Sequence, residues 1–285
     1  MKRILFLITS LGGGGAEKVL TELLKQLDPS IYQMDLITIY PGERDRDVPS
    51  YVKHRIVTKS KGFLQKIIVS LSYRHPKIMS RLILNDKMMR NYDVAVAYME
   101  GVPTSLMRYA YDGIKKITFL HQGTKKSGFI TEYYHTVEKA VEEYEKFDKV
   151  CFVSDEIKDE FEEICGKSEN HIVIHNSVDI DSILSKSNEQ IDEKYTTEGL
   201  KIITVGRFSP PKRFDRLLRA AKRLEVNYDF EWWILGAGHL WDAMNKMKEE
   251  LDLKSVKFLG YRDNPYPYMK SADLLAIRSE ERRVG

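Results

Sequence analysis

Short apolar runs alternate with helical stretches along almost the whole chain, and this alternation narrows the fold more than any other feature. Residues 4–9, 34–40, 94–98, 116–121, 149–153 and 171–175 read as strands. Residues 16–27, 63–73, 76–90, 132–147 and 155–164 read as helices, the last with Ser154 as its N-cap. A second series follows, with strands at 201–205, 230–235, 256–259 and 274–277 and helices at 213–224, 240–251 and 266–269. Apolar strands that each feed a helix predict parallel sheets covered on both faces. The stretch 181–199, rich in Ser, Asp, Glu and Lys, separates the two series and reads as a linker. The expected fold class is therefore α/β, with two Rossmann-like domains at 1–185 and 200–285 and a linker at 186–199. Such sheets bind ligands at the carboxyl ends of their strands, so chemistry is expected in a cleft between the domains.

Composition removes several alternatives. At about 150 residues per domain, 285 residues give two domains. With 42% hydrophobic residues distributed in recurrent runs, disorder is excluded for most of the length. No window of 18 uncharged apolar residues occurs, so no transmembrane helix is expected. The apolar run 4–8 is too short for a signal peptide and lacks a small-residue cleavage site, so it reads as a buried first strand. Cys151 and Cys165 are the only cysteines, too few for a disulfide framework or a cysteine zinc site, and a cytoplasmic location fits them.

The net charge of +3 conceals local imbalance. Residues 53–90 hold ten Lys/Arg against one acid, Asp86, and Phe63, Leu64, Ile67, Ile68 and Leu71 recur there at helical spacing. Two readings stay open: peripheral contact with an anionic membrane through 53–90, and a solvated helix at a domain edge. Residues 132–163 hold twelve Asp/Glu against four Lys and read as a polar helix face. Nucleic acid is not an expected partner, because the basic residues neither alternate with aromatics nor belong to a known module.

Two motifs carry chemistry. Gly12–Gly15 stands between the first strand and the first helix, where glycines admit close backbone approach and a helix N-terminus favours an anion. The dinucleotide fingerprint fails, since Glu17 or Lys18 stands where the third glycine belongs. A P-loop is also absent, because Phe161 precedes Gly166-Lys167-Ser168 at the first-glycine position. A tight turn without a ligand is the competing reading of the glycines. In the second motif, the strand before Gly206 leads to Arg207 and, past a Pro-containing turn, to Lys212 at the start of a helix. Arg can clamp a phosphate with two hydrogen bonds and Lys adds a point charge, which suits a diphosphate leaving group. Two solvated surface cations are the alternative.

Taken in order, these segments resemble a retaining glycosyltransferase of family 4 with the GT-B fold. The resemblance runs through residues 14–20, the strand 147–154, the segment 173–179 and the run 205–215. It continues through Gly236-Ala237-Gly238 and from Phe258-Leu259-Gly260-Tyr261 to Ala272-Asp273, covering residues 1–277. It implies that Gly14 and Gly15 approach the donor's phosphate or sugar. His121 would lie near donor sugar and acceptor, although as a bare sequence feature it reads equally as a hydrogen-bonded structural histidine. Arg207 and Lys212 would hold the diphosphate, with Gly206 at their base. Gly236, Gly238, Gly260 and Tyr261 would line the nucleotide.

The resemblance further implies transfer with retention from a nucleotide diphosphate sugar, UDP-linked by preference. The acceptor would be a glycan or a lipid-linked sugar in bacterial surface polysaccharide synthesis, such as capsule. No cofactor and no essential metal are implied, because the two cations take the metal's place. The family's pattern departs near the end. A first Glu is expected near position 282, where Arg282 follows Glu280 and Glu281, and a second would fall beyond Gly285. The second domain is thus expected to be incomplete and this chain a truncated, poorly active fragment. Two rivals remain: a GT-B epimerase acting on a UDP-sugar, and a non-catalytic glycosyltransferase-like binding subunit.

Overall fold

The apolar runs pair side by side, and every strand pairing is parallel, as helical connections between strands require. The computed structural model describes residues 1–12, 14–59 and 62–277. Contacts divide the chain into two units, with the boundary after Val178.

The first unit starts with β1 (Lys2–Ile8), α1 (Gly15–Gln26), β2 (Tyr32–Thr38) and β3 (Lys53–Ile56). It continues through α2 (Phe63–Arg74), α3 (Pro76–Ile83), α4 (Asp86–Met89), β4 (Val94–Ala97) and α5 (Val102–Met107). Next come β5 (Lys115–Leu120), α6 (Thr124–Ser127), α7 (Phe129–Tyr134) and α8 (Val137–Tyr144). β6 (Lys149–Phe152), α9 (Asp155–Cys165) and β7 (His171–Val173) complete it. The strand order is β3-β2-β1-β4-β5-β6-β7, which reverses direction between β1 and β4. Side chains along β1 alternate between two cores: Leu5 and Leu7 pack with Leu106 and Phe152, while Phe6 and Ile8 pack with Leu20 and Leu24.

The second unit holds α10 (Ile180–Ser187), β8 (Leu200–Val205), α11 (Phe214–Leu224), β9 (Phe230–Leu235) and α12 (Trp241–Glu250). β10 (Val256–Gly260), α13 (Tyr266–Lys270) and β11 (Leu274–Leu275) follow. Its sheet runs β10-β9-β8-β11. All of β9 is buried, with Trp232 in the core against Leu218 and Phe208 and Trp233 in the opposite core against Ile203 and Tyr268. Each large apolar side chain sequestered this way contributes about 2–3 kcal/mol of transfer free energy.

Several expectations change. Residues 186–199 are not a free linker. Tyr195 stacks on Trp233 at 3.8 Å and donates its hydroxyl to the Ile202 carbonyl at 3.0 Å. Arg262 and the Tyr268 hydroxyl both hold Glu193, and Asn264 and Lys270 bond back to Lys186 and Asn188. The helix expected over 76–90 breaks where the Asn85 side chain accepts the Met88 N–H and starts α4. That over 132–147 breaks at His135, whose φ is +67°, and α8 restarts on Thr136 as its cap. β3 was not anticipated, because its sequence Lys-His-Arg-Ile is charged, as a sheet edge tolerates. α5 is too short to show a period. The acidic stretch is not wholly a solvated face, since Glu143 is buried. Among the described residues no helix is long and apolar enough to cross a membrane.

The packed segment 186–199 is tied down through Glu231 of β9. Thr196 donates to its carboxylate from Oγ1 at 2.5 Å and from its N–H at 3.1 Å, Lys257 at 2.9 Å, and the Trp233 indole at 2.5 Å. Burial pushes this carboxyl up, but the hydrogen bonds from Thr196, Lys257 and Trp233 outweigh it and hold it below its ordinary value. A depressed folded-state value contributes stability above the unfolded-state value of about 4.3, and that stability is lost as pH falls through the folded-state value. Glu231→Gln is therefore expected to cost about 2 kcal/mol at neutral pH. It should also flatten the acid limb of stability. Urea denaturation of both proteins at neutral and acid pH checks this.

Candidate functional site

Three adjacent strands of the first sheet, β1, β4 and β5, end beside its reversal point, the place where such sheets bind ligands. β1 delivers the glycine turn. Gly14 is the N-cap of α1 and Gly15 its first residue; Gly13 lies outside the described residues. The Glu17 carboxylate folds back over Gly14, into the space that a Cβ there would need. A carboxylate in the first turn complements the positive end of the helix. This N-terminus is therefore faced by the chain's own anion, and a neutral hydroxyl-bearing ligand suits it better than a phosphate.

β4 delivers Glu100 and Gly101, and β5 delivers His121. Glu100 and His121 are both buried, and the His121 N–H donates to Glu100 Oε2 at 2.9 Å. The imidazole lies 5.2 Å from the Tyr98 ring. Gly101 has φ +85°, and the Tyr73 hydroxyl comes within 2.9 Å of where a Cβ would sit. Tyr73 in turn stacks on Tyr133 at 4.7 Å with nearly parallel rings. The histidine expected from the sequence thus stands buried beside the Glu100 carboxylate and the Tyr98 and Phe119 rings, with Tyr73 and Tyr133 against the neighbouring Gly101. Glu100, Tyr73 and Tyr133 were not anticipated. The one available signal was an acid directly after the apolar run of β4.

In the second unit, β8, β9 and β10 end side by side and bring the remaining expected residues to one edge. Gly206 and Arg207 follow β8, with Arg207 exposed; Lys212 is half-buried at the end of the turn Pro210–Lys212. Between the two cations, Phe208 is fully buried, stacked on Phe214 at 4.4 Å and edge-on to Trp241 at 4.9 Å. This anchor holds the loop backbone from below. Arg213 has φ +48° and pairs with Asp215 at 2.9 Å, which holds the Asp215 carboxyl below its usual range. Arg213 is therefore committed to the protein.

Neighbouring loops are bonded to this one. The Phe208 N–H donates to the Ala237 carbonyl at 3.0 Å, and the Gly236 N–H to the Gly260 carbonyl at 2.8 Å. Gly236 has φ +143°, and the Gly206 carbonyl occupies the place of a Cβ; Gly238, at φ +156°, meets the Phe208 carbonyl in the same way. Gly260, at φ +76°, turns the chain into Tyr261, which is exposed. Glu280, Glu281 and Arg282, around the expected carboxylate pair, lie outside the described residues. Each sheet edge thus presents its own residues: glycines, a buried histidine and tyrosines on the first, and glycines and cations on the second.

The glycine geometry makes a prediction. Gly236→Ala forces both a disfavoured φ and a clash with the Gly206 carbonyl, and is expected to destabilise by about 1–3 kcal/mol. Gly206→Ala meets Phe214 at an ordinary 3.6 Å and Lys212 at 4.0 Å, and should be tolerated. Thermal melts of the two variants side by side check the difference.

Residues 13–182 match the family model described as Glycosyltransferase Family 4, and residues 185–281 match that of Glycosyl transferases group 1. The N-acetylgalactosamine-N,N'-diacetylbacillosaminyl-diphospho-undecaprenol 4-alpha-N-acetylgalactosaminyltransferase of Campylobacter jejuni is 34% identical over 108 residues, 38% of this chain and 28% of that protein. The lipopolysaccharide core biosynthesis glycosyltransferase LpsD of Rhizobium meliloti is 28% identical over 95 residues, 33% of this chain and 27% of that protein. The chain thus spans less than a third of the length of these curated relatives in the matched regions. The crystal structure of Anabaena HepE in complex with UDP and glucose superposes with a TM-score of 0.70 at 20% identity, covering 98% of this chain and 74% of that one. That likeness shows the GT-B type of fold. With a family model matched over more than half of its length, the chain belongs to glycosyltransferase family 4.

Proposed function

We propose that the protein transfers a sugar from a nucleotide diphosphate sugar, UDP-linked by preference, to a glycan or lipid-linked acceptor, with retention at the anomeric carbon. The observation that carries this reading is the placement of Arg207 and Lys212 on an anchored loop beside the glycine turns of β9 and β10. When a sugar leaves a nucleoside diphosphate, negative charge develops on the diphosphate. Fixed cations already in place stabilise that charge without reorganisation. Arg207 suits a two-point contact with phosphate oxygens, and Lys212 suits a point contact. In this reading the pair takes the part of a metal, so no essential metal is required.

The other residues take roles that match their surroundings. Gly206 lets the backbone approach the nucleotide, and the Gly236–Gly238 turn, packed on the Gly206 and Phe208 carbonyls, lines it together with Gly260 and Tyr261. Gly14 and Gly15, with Glu17 over them, suit sugar hydroxyls. His121, set by Glu100, orients a sugar hydroxyl near the reacting carbon.

The relatives support a role in surface polysaccharide synthesis. The Campylobacter enzyme's name specifies a diphospho-undecaprenol-linked acceptor, and the Anabaena protein was crystallised with UDP and glucose. A lipid-linked acceptor would place this protein at the inner face of the cell membrane, touching it peripherally through residues 53–90. Retention and the UDP preference rest on the family resemblance.

UDP is expected to raise the melting temperature of the wild-type chain, and Arg207→Ala/Lys212→Ala should abolish the rise. In transfer assays either single alanine should slow turnover about 100-fold or more. An unaltered UDP shift in the double variant would overturn the assignment. Release of free UDP without transfer would instead identify a UDP-sugar epimerase.

A further inference from the structure

We infer that the arginine face of α11 is a docking surface for a second copy of this chain, which meets it with the glutamate face of its α8. On α11, Arg216, Arg219 and Arg223 are exposed, on the side opposite the buried Phe214, Leu217, Leu218 and Ala221. Helical residues three and four apart are neighbours on the surface, so the three arginines form one row. None of them makes an ion pair among the described residues. The nearest acids are taken by other cations, Asp215 by Arg213 at 2.9 Å and Glu225 by Lys222 at 3.5 Å. The row lines a groove of about 460 Å³ together with Ala220 and Leu224. The small side chain of Ala220 leaves room there for an incoming one.

α8 carries the complementary row. Glu138, Glu142 and Glu145 are exposed, on the side opposite the buried Ala140 and Tyr144. They too make no ion pair among the described residues. Lys146 is held by Glu143 at 2.7 Å, and Lys139 lies about 100° round the helix from Glu138, off the row. The spacings of the two rows match when the helices run in opposite directions. From Arg216 the steps along α11 are three and then four residues. Backwards from Glu145 the steps along α8 are also three and then four. An antiparallel contact therefore sets Arg216 against Glu145, Arg219 against Glu142 and Arg223 against Glu138 in a single register.

The other acidic helix is already engaged within its own unit. Lys125 pairs with Glu163 at 2.5 Å and donates its N–H to Glu160 at 3.3 Å, and Glu162 takes His171 at 3.0 Å. The acids of α8 are thus the free ones. A net charge of +3 gives two copies no general attraction, so association depends on these local rows. Exposed ion pairs are individually weak and screened by salt, so the contact forms at low ionic strength and comes apart at high. Opposed rows of charge fix partner and register more than strength. The contact is independent of the transferase reading.

Sedimentation equilibrium of the full chain at low salt and in about 1 M salt, where charges are screened beyond about 3 Å, tests this. Wild-type protein should self-associate at low salt and be monomeric at high salt. Arg219→Glu and Glu142→Arg should each weaken association about 10-fold or more, because each sets like charges opposite one another. The two changes combined in one chain should restore it. Lys53→Glu alters net charge as much as Arg219→Glu, on the exposed edge strand β3 far from α8 in the sheet order, and should leave association unchanged. A monomeric wild type at low salt, association indifferent to salt, a loss that the combined variant does not recover, or an equal loss in Lys53→Glu would each overturn the contact. The UDP thermal shift should be the same in all these variants. Its absence from a wild-type protein that associates as described would overturn the transferase reading and leave this contact standing.

Discussion

A parallel strand cannot turn back directly into its neighbour. The chain must cross back between strands each time, in most cases through a helix, and so each strand leaves its carboxyl end on the same edge. That constraint underlies the rest of this structure. It covers both faces of the sheets with helices, which is why β1 divides its side chains between two cores. It also gathers loops far apart in sequence. The glycine turn, Glu100 and His121 meet because β1, β4 and β5 are neighbours, and Arg207, Gly236 and Gly260 meet because β8, β9 and β10 are.

Within that frame, the second unit separates two tasks among similar residues. Arg207 and Arg213 are both arginines of one short loop. Arg213 is held by Asp215, while Arg207 points its charge to solvent from a backbone pinned by Phe208. Glycine serves the same end at Gly236 and Gly238, where neighbouring carbonyls fill the space a side chain would take. A rigid base with a cation that makes no ion pair among the described residues is the arrangement that electrostatic stabilisation of a leaving group requires. In the first unit, Glu17 does the reverse and supplies the helix N-terminus with an internal anion.

The two edges of the first sheet differ in kind. The carboxyl edge is lined by glycines, tyrosines and one buried histidine. The amino edge holds the charged group of Arg108, Glu143 and Lys146. Burying such a group is expensive unless its hydrogen bonds are completed, and here the guanidinium is only partly satisfied by the protein.

Much of this was legible in the chain. The apolar runs of β1, β8 and β9 are unbroken enough to be read as buried strands, Ser154 marks the start of α9, and the glycine and cation motifs stand where strands end. These signals are local, carried by periodicity and by caps within a few residues. The rest depended on partners distant in sequence. Glu100 gains meaning from the N–H of His121, Glu143 from Arg108, and the polar residues 186–199 from Trp233 and Glu231. β3 is a strand because β2 offers it an edge, whatever its own charges. The sequence by itself determined the parallel α/β plan, because strand and helix periods are written into neighbouring residues. Only the tertiary structure decided which charges are buried and which are free to meet a ligand, because that depends on what the folded chain places against them.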